Sequence, residues 1–340
     1  MSPTTQPQRS RKSQKQSGKE REESERPAVQ LPTAFFPFAR YTSVVGVHTS
    51  LIAFTALFLP RTSLSSLFRS SAANGQLGKP DDVLLTLTEN PLRTLAWICA
   101  GSCVLQVWWA SWLRNWALDA RAGVTEGADD TTRRTEQKLL REEWNSGRFA
   151  VGFIDIFVRC TLMYIVLQAF RMACLAAVVT SVVFSIVIIL YGAPLNSHLL
   201  RTYLLGLLVA LLSVFSAAYT LGVPSLGSDT ESLVRRLTWI RLFAELSPRT
   251  PVERAILYPA IGTVLGCWVG AIPIGLDWER PWQAWPLTPA YGAVSGYIVG
   301  SLWALAINGV RQLYEIQLRE NREAASAKRS EPQHTKKKGT

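Results

Sequence analysis

The residues best suited to chemistry lie between positions 276 and 286, where charged side chains alternate with tryptophans. This run contains three charged residues and three tryptophans, namely Asp277, Glu279, Arg280, Trp278, Trp282 and Trp285. Carboxylates and a guanidinium held between indole rings can brace a rigid loop, or they can bind a polar head group. An interfacial aromatic belt would explain the tryptophans but not the charges between them. The run therefore predicts a structural brace or a binding loop.

The histidines and cysteines lack the spacing of a catalytic or metal site. Cys99 and Cys103 lie one helical turn apart and could bind a metal, but small apolar packing residues explain them better. His48 lies in an apolar segment, where an ionisable residue is a functional candidate, although a neutral, hydrogen-bonded histidine is the simpler expectation. The sequence contains neither a phosphate-binding glycine loop nor a nucleophile elbow. We predict no catalytic residue, no metal and no cofactor.

Glycines recur every four residues in the last two apolar stretches. One ladder consists of Gly262, Gly266 and Gly270, and the other of Gly292, Gly296 and Gly300. This spacing places each set on one helix face, where a second helix can approach closely within lipid. The two helices are expected to pack against each other, and the alternative is that a partner protein's helix docks on one ladder.

The chain ends with a possible address signal. Lys337 and Lys338 are the fourth and third residues from the C-terminus, as in the dilysine signal for retrieval to the endoplasmic reticulum. Such a signal is read by a receptor on the cytosolic side and does not anchor the protein. It therefore requires a cytosolic C-terminus.

Apolar segments long enough to cross a bilayer must position these residues, since about 20 apolar residues span the hydrocarbon core. The sequence predicts six of them, at 42–60, 94–113, 172–191, 203–221, 255–275 and 289–308. The predicted fold is an all-α polytopic integral membrane protein with a membrane domain at 42–308. Residues 1–41 and 309–340 are expected to be polar, disordered tails.

Charge distribution sets the expected orientation. With six spans and a cytosolic N-terminus, 30 of the 36 Lys and Arg residues are cytosolic and six are lumenal, which satisfies the positive-inside rule. A seventh apolar stretch at 150–170 would invert every later loop if it also spanned. It is therefore predicted to be interfacial, re-entrant or buried beside the bundle, with Asp155 and Arg159 paired on one helix face.

The net charge of +11 follows from these loops and tails and does not indicate nucleic-acid binding.

At three places the chain resembles the phosphatidylinositol-glycan class F (PIG-F) family of GPI-anchor biosynthesis proteins, in its fungal form. They are the Gly192-Ala193-Pro194-Leu195 turn, the segment 239–248 with its Arg-Leu-Phe-Ala-Glu core, and above all 266–286. The last resembles the family's Gly-Ala-x-Pro turn followed by a Leu-Asp-Trp-Asp-Arg-Pro-Trp-Gln run. Here Glu279 stands where the family usually has Asp, and Gly275 where Pro is usual.

The resemblance implies a subunit of GPI ethanolamine-phosphate transferase in the endoplasmic reticulum membrane, with both termini cytosolic. Such a subunit has no expected activity of its own and supports a larger catalytic subunit, which adds ethanolamine phosphate to mannose of the GPI precursor. Its implied partners are that subunit, membrane lipids and GPI glycolipid intermediates. The alternative is a lipid or small-solute transporter, although the spans contain few polar residues besides His48 and Gln106.

Overall fold

The computed structural model describes residues 37–61, 87–125, 151–194, 198–225, 227–276, 278 and 280–330. Within these ranges all regular structure is helical, and no strand occurs. The helices are α1 (Phe38–Phe58), α2 (Pro91–Thr125), α3 (Val151–Leu190), α4 (Leu199–Ala210), α5 (Ser216–Leu221), α6 (Thr230–Trp239), α7 (Pro251–Ala271) and α8 (Leu287–Ser330).

Short irregular helical turns extend or join these elements. A π-helical turn, Leu211–Phe215, joins α4 to α5 without a break, and a second one, Ile240–Ala244, extends α6. Three 3₁₀ turns follow α1, follow α7 and precede α8, at Leu59–Arg61, Ile272–Gly275 and Pro281–Gln283.

Among the described residues, six helical segments are long and apolar enough to cross a membrane, which confirms the predicted fold class. They are Phe38–Arg61, Pro91–Leu118, Val166–Leu190, Leu199–Leu221, Pro251–Gly275 and Leu287–Ser326. Each one contains most or all of a predicted span. Hydropathy found them because a lipid-facing helix must be apolar around most of its circumference.

Two regions differ from the sequence prediction. Residues 151–170 continue directly into the third span as the first half of α3, so the re-entrant alternative, which needs a turn, does not fit. Asp155 and Arg159 lie outside the residues whose side chains the structure describes. At the other end, α8 remains helical to Ser330, although disorder was predicted from residue 309. Residues 311–330 are rich in Glu, Arg, Gln and Ala, which favour a helix even when exposed.

The helix formed by α4 and α5 lies at the centre of the bundle. It contributes side chains to all three clusters of buried apolar residues, among them Leu208, Phe215 and Ala217. By contrast, the part of α3 whose side chains are described leaves most of its apolar surface outside the bundle, including Val178, Val182 and Ile186. The central helix therefore organises the other spans, and α3 lies at the periphery.

Candidate functional site

The two glycine ladders pack against each other. A Cβ atom on Gly266 would lie 2.9 Å from Gly296 Cα, and one on Gly292 would lie 2.9 Å from Gly270 Cα. A Cβ on Gly262 would likewise collide with the carbonyl of Gly296. The neighbouring atoms are backbone, so no side chain can rotate away to make room. We call this contact between α7 and α8 the glycine seam.

The glycine seam accounts for all six glycines of the ladders. Gly300 completes it against α7, because its Cβ would lie 2.8 Å from Pro259 Cα. The geometry corresponds to the packing alternative, in which the two helices of one chain approach closely. The side on which a Cβ would project from each glycine is therefore filled by the chain itself and not by a partner's helix.

At one end of the glycine seam, the loop between α7 and α8 is braced by an amide. The Gln283 Nε2 donates to two backbone carbonyls, Pro273 O and Leu276 O, both at 2.6 Å. Its Oε1 accepts from the backbone N–H of Arg280 at 2.8 Å. One side chain thus ties three points of the loop together. Sequence reasoning missed Gln283, since its partners are backbone groups that no residue pattern reveals.

The tryptophans of this loop have different surroundings. Trp285 Nε1 donates to Thr202 Oγ1 at 3.1 Å, which fastens the loop to the start of α4. Trp278 and Trp282 meet edge to face, with ring centroids 5.7 Å apart, and Trp278 is exposed. The Arg280 side chain is also exposed. Asp277 and Glu279 lie outside the described residues, so the proposed carboxylate–guanidinium cluster stays a prediction.

Replacing Gln283 with methionine should loosen this loop. The substitution keeps the length of the side chain but removes three hydrogen bonds, each with a typical net contribution of about 1 kcal/mol. We expect the thermal midpoint of the detergent-solubilised protein to fall and proteolysis within 276–286 to accelerate.

Leu276→Ala is the matched control, because it removes an exposed side chain and keeps the carbonyl that Gln283 contacts. Equal proteolysis of the two variants would mean that the amide does not brace the loop.

At the other end of α7, a charged network joins α6, α7 and α8. The Arg241 guanidinium donates to both carboxylate oxygens of Glu253, at 2.7 and 3.0 Å. These hydrogen bonds raise the pKa of Arg241 further, so the guanidinium stays charged. Glu253 also closes a capping box with Thr250 at the start of α7 and accepts from the backbone N–H of Arg249.

A buried arginine extends the network to α8. Arg254 Nε donates to Asn308 Oδ1 at 2.5 Å, and Asn308 Nδ2 donates to the carbonyl of Pro251 at 3.2 Å. Arg254 is almost fully buried, so these bonds compensate its desolvation. Sequence reasoning did not find this network, although the Thr250-x-x-Glu253 capping box was a readable signal.

The bundle core contains a small polar group around His48. The imidazole is buried and stacks on Trp109 with ring centroids 5.0 Å apart, and it meets Tyr297 edge to face at 5.7 Å. Its Nε2 has no hydrogen-bond partner among the described residues, whereas the imidazole has the expected hydrogen bond in its contact with the backbone of Leu105. Nearby, the buried Gln106 accepts from Ser216 Oγ at 2.6 Å.

Cys99, one of the two cysteines considered as metal ligands, lies among apolar side chains. Cys99 is buried in an apolar cluster and contacts the carbonyl of Leu204 through its sulfur at 3.4 Å. Within the part of the chain that the structure describes, no three His, Cys, Asp or Glu side chains lie close enough together to hold a metal ion.

Comparison with known proteins identifies the family of the chain. The sequence model of the GPI biosynthesis protein family Pig-F matches residues 82–305, well over half of the chain. The chain belongs to the PIG-F family. The matched region includes the glycine seam, the loop between α7 and α8 with its tryptophans, and both Arg241 and Arg254. The resemblance inferred from the sequence is thereby confirmed.

Curated relatives of this PIG-F protein match over shorter stretches. The human "GPI ethanolamine phosphate transferase, stabilizing subunit" is 32% identical over 131 residues, covering 38% of this chain and 55% of the relative. "Glycosylphosphatidylinositol anchor biosynthesis protein 11" of Debaryomyces hansenii is 39% identical over 129 residues, covering 37% and 49%. The Aspergillus fumigatus protein of the same name is 38% identical over 120 residues, covering 35% of each. The chain thus spans about half the length, or less, of these relatives. No solved structure matches it.

Proposed function

We propose that the chain is a non-catalytic, stabilising membrane subunit of GPI ethanolamine-phosphate transferase. In this role it supports the addition of ethanolamine phosphate to mannose of the GPI precursor by a larger catalytic subunit. The observation that carries the proposal is the name of the human and mouse relatives, each called a stabilizing subunit of that transferase. These names do not support the transporter alternative.

The geometry suits a stabilising subunit. The glycine seam fixes α7 against α8, with the Gln283 brace at one end and the Arg254–Asn308 hydrogen bond at the other. A rigid body of this kind presents a constant outer surface to a neighbouring membrane protein. Binding to a preformed surface avoids the entropy cost of ordering it during assembly.

Complementation with co-purification tests the proposal. Cells that lack their own stabilising subunit should recover ethanolamine-phosphate-bearing GPI intermediates when the chain is expressed, as measured by mass spectrometry of the glycolipids. The chain should also co-purify with the large transferase subunit and raise its abundance. Recovery of the intermediates without association or a change in abundance would contradict a stabilising role.

We further propose that the protein resides in the endoplasmic reticulum membrane with both termini cytosolic, as the charge distribution indicates. Lys337 and Lys338, which lie outside the described residues, would then act as a retrieval signal. A glycosylation acceptor inserted in the loop 276–288 should be modified, and one inserted in 222–250 should not. Electrophoretic mobility before and after glycosidase treatment measures this. The reverse pattern would refute the proposed orientation.

A further inference from the structure

Helix α6 has an inverted distribution of apolar and polar side chains. Leu233, Val234 and Leu237 face outward and are 48%, 57% and 55% exposed, whereas Ser232 on the opposite side is buried. Ile240, one turn further on, continues the exposed apolar face. A surface helix in water shows the opposite arrangement, with its apolar stripe against the core. The outward face of α6 therefore suits an apolar medium.

Two side-chain contacts hold α6 at the ends of membrane spans. Trp239 Nε1 donates to the carbonyl of Gly222 at 2.9 Å, directly after α5 ends. Two residues further along the chain, Arg241 binds Glu253 in the first turn of α7. The candidate spans end at Leu221 and begin at Pro251, so both contacts lie at the edge of the apolar region. Helix α6 is thus placed at the level where the bilayer surface meets the bundle.

The length and charges of α6 fit the interface better than the hydrocarbon core. Its 10 residues cover about 15 Å, half of what a span requires. Arg235 pairs with Glu231, and Arg236 donates to the carbonyl of Gly227, so both arginines have polar partners. A short helix with one apolar and one charged face is typical of segments that lie in the membrane plane.

We propose that α6 is an interfacial helix whose apolar face, formed by Leu233, Val234, Leu237 and Ile240, inserts among the lipids of the adjacent leaflet. The occupant of this face is the boundary between lipid head groups and acyl chains, at a depth of about 5–10 Å. The contacts of Trp239 and Arg241 hold the C-terminal end of the helix against the bundle while its outer face meets lipid. The location of α6 does not depend on the proposed function.

Spin-label accessibility in nanodiscs tests the proposal. The full chain, with its five native cysteines replaced by alanine, is reconstituted alone at one copy per disc and labelled at Leu237→Cys. Glu231→Cys on the same helix is the matched control, since its side chain is 79% exposed on the polar flank. We expect the ratio of oxygen to nickel-chelate collisions to be several-fold higher for the label at 237 than for the label at 231. Val234→Cys provides a second apolar position should the label at 237 disturb folding.

Two results would overturn the proposal. If the nickel chelate collides with the labels at 234 and 237 as often as with the label at 231, the apolar face of α6 lies in water. Protection from the chelate that appears only after the large transferase subunit is added would identify the face as a protein interface instead.

Discussion

Gly296→Ala should destabilise the protein more than alanine at any other described glycine of the spans. The new Cβ would collide with the carbonyl of Gly262 and lie 3.0 Å from Gly266 Cα. Adding a group to a packed core typically costs about 1–3 kcal/mol of stability when neighbouring side chains can move to make room. Here both obstructing groups are backbone, so we expect a cost near the upper value, equivalent to roughly a hundredfold change in the folding equilibrium. The thermal midpoint in detergent and the yield of folded protein should both fall sharply.

Gly46→Ala is the matched control for this substitution. Gly46 lies in the first span, and a Cβ at this position would meet no atom within 4 Å. Alanine is favoured over glycine inside a helix by about 1 kcal/mol, so the midpoint should stay constant or rise slightly. Equal midpoints for the two variants would mean that α7 and α8 do not meet along the glycine seam.

The glycine seam shows which part of this fold can be predicted from the sequence and which part cannot. Four-residue spacing identified a face suited to close approach, but spacing cannot say which surface approaches it. Packing within the chain and docking of a partner therefore remained alternatives until the distances between Gly266, Gly292 and Gly296 were seen. The six spans were predictable because hydropathy is a local property that lipid imposes on every exposed turn.

Features that depend on tertiary contacts were not predictable. Charge counting favoured six spans, which is the number of candidate spans among the described residues, but it could not show that residues 151–170 continue as one helix into the third span. Gln283 was overlooked beside three conspicuous tryptophans, because an amide bound to backbone carbonyls leaves no pattern. Family resemblance drew attention to Arg241, yet its pairing with Glu253 twelve residues away appears only in the folded chain.

Arg241→Met should have the second largest effect. The ion pair is well shielded, since the side chains of Arg241 and Glu253 are only 16% and 10% exposed. Removing one partner of a buried pair typically costs about 3–5 kcal/mol, because the remaining charge stays desolvated. Because both side chains keep some exposure to solvent, we expect a loss of stability at the lower end of this range, about 3 kcal/mol. Denaturant unfolding measures it as the change in the free energy of unfolding.

A double-mutant cycle separates this charge penalty from lost packing. Glu253→Gln alone should also destabilise, because it leaves the Arg241 guanidinium without its carboxylate. The double variant Arg241→Met/Glu253→Gln leaves no unpaired charge at this site, so it should be clearly more stable than the sum of the single losses predicts. Glu231→Gln, which breaks the exposed pair with Arg235, should cost at most about 1 kcal/mol. If the two single losses simply add, the pair does not act as a unit, and shape alone accounts for the contact between α6 and α7.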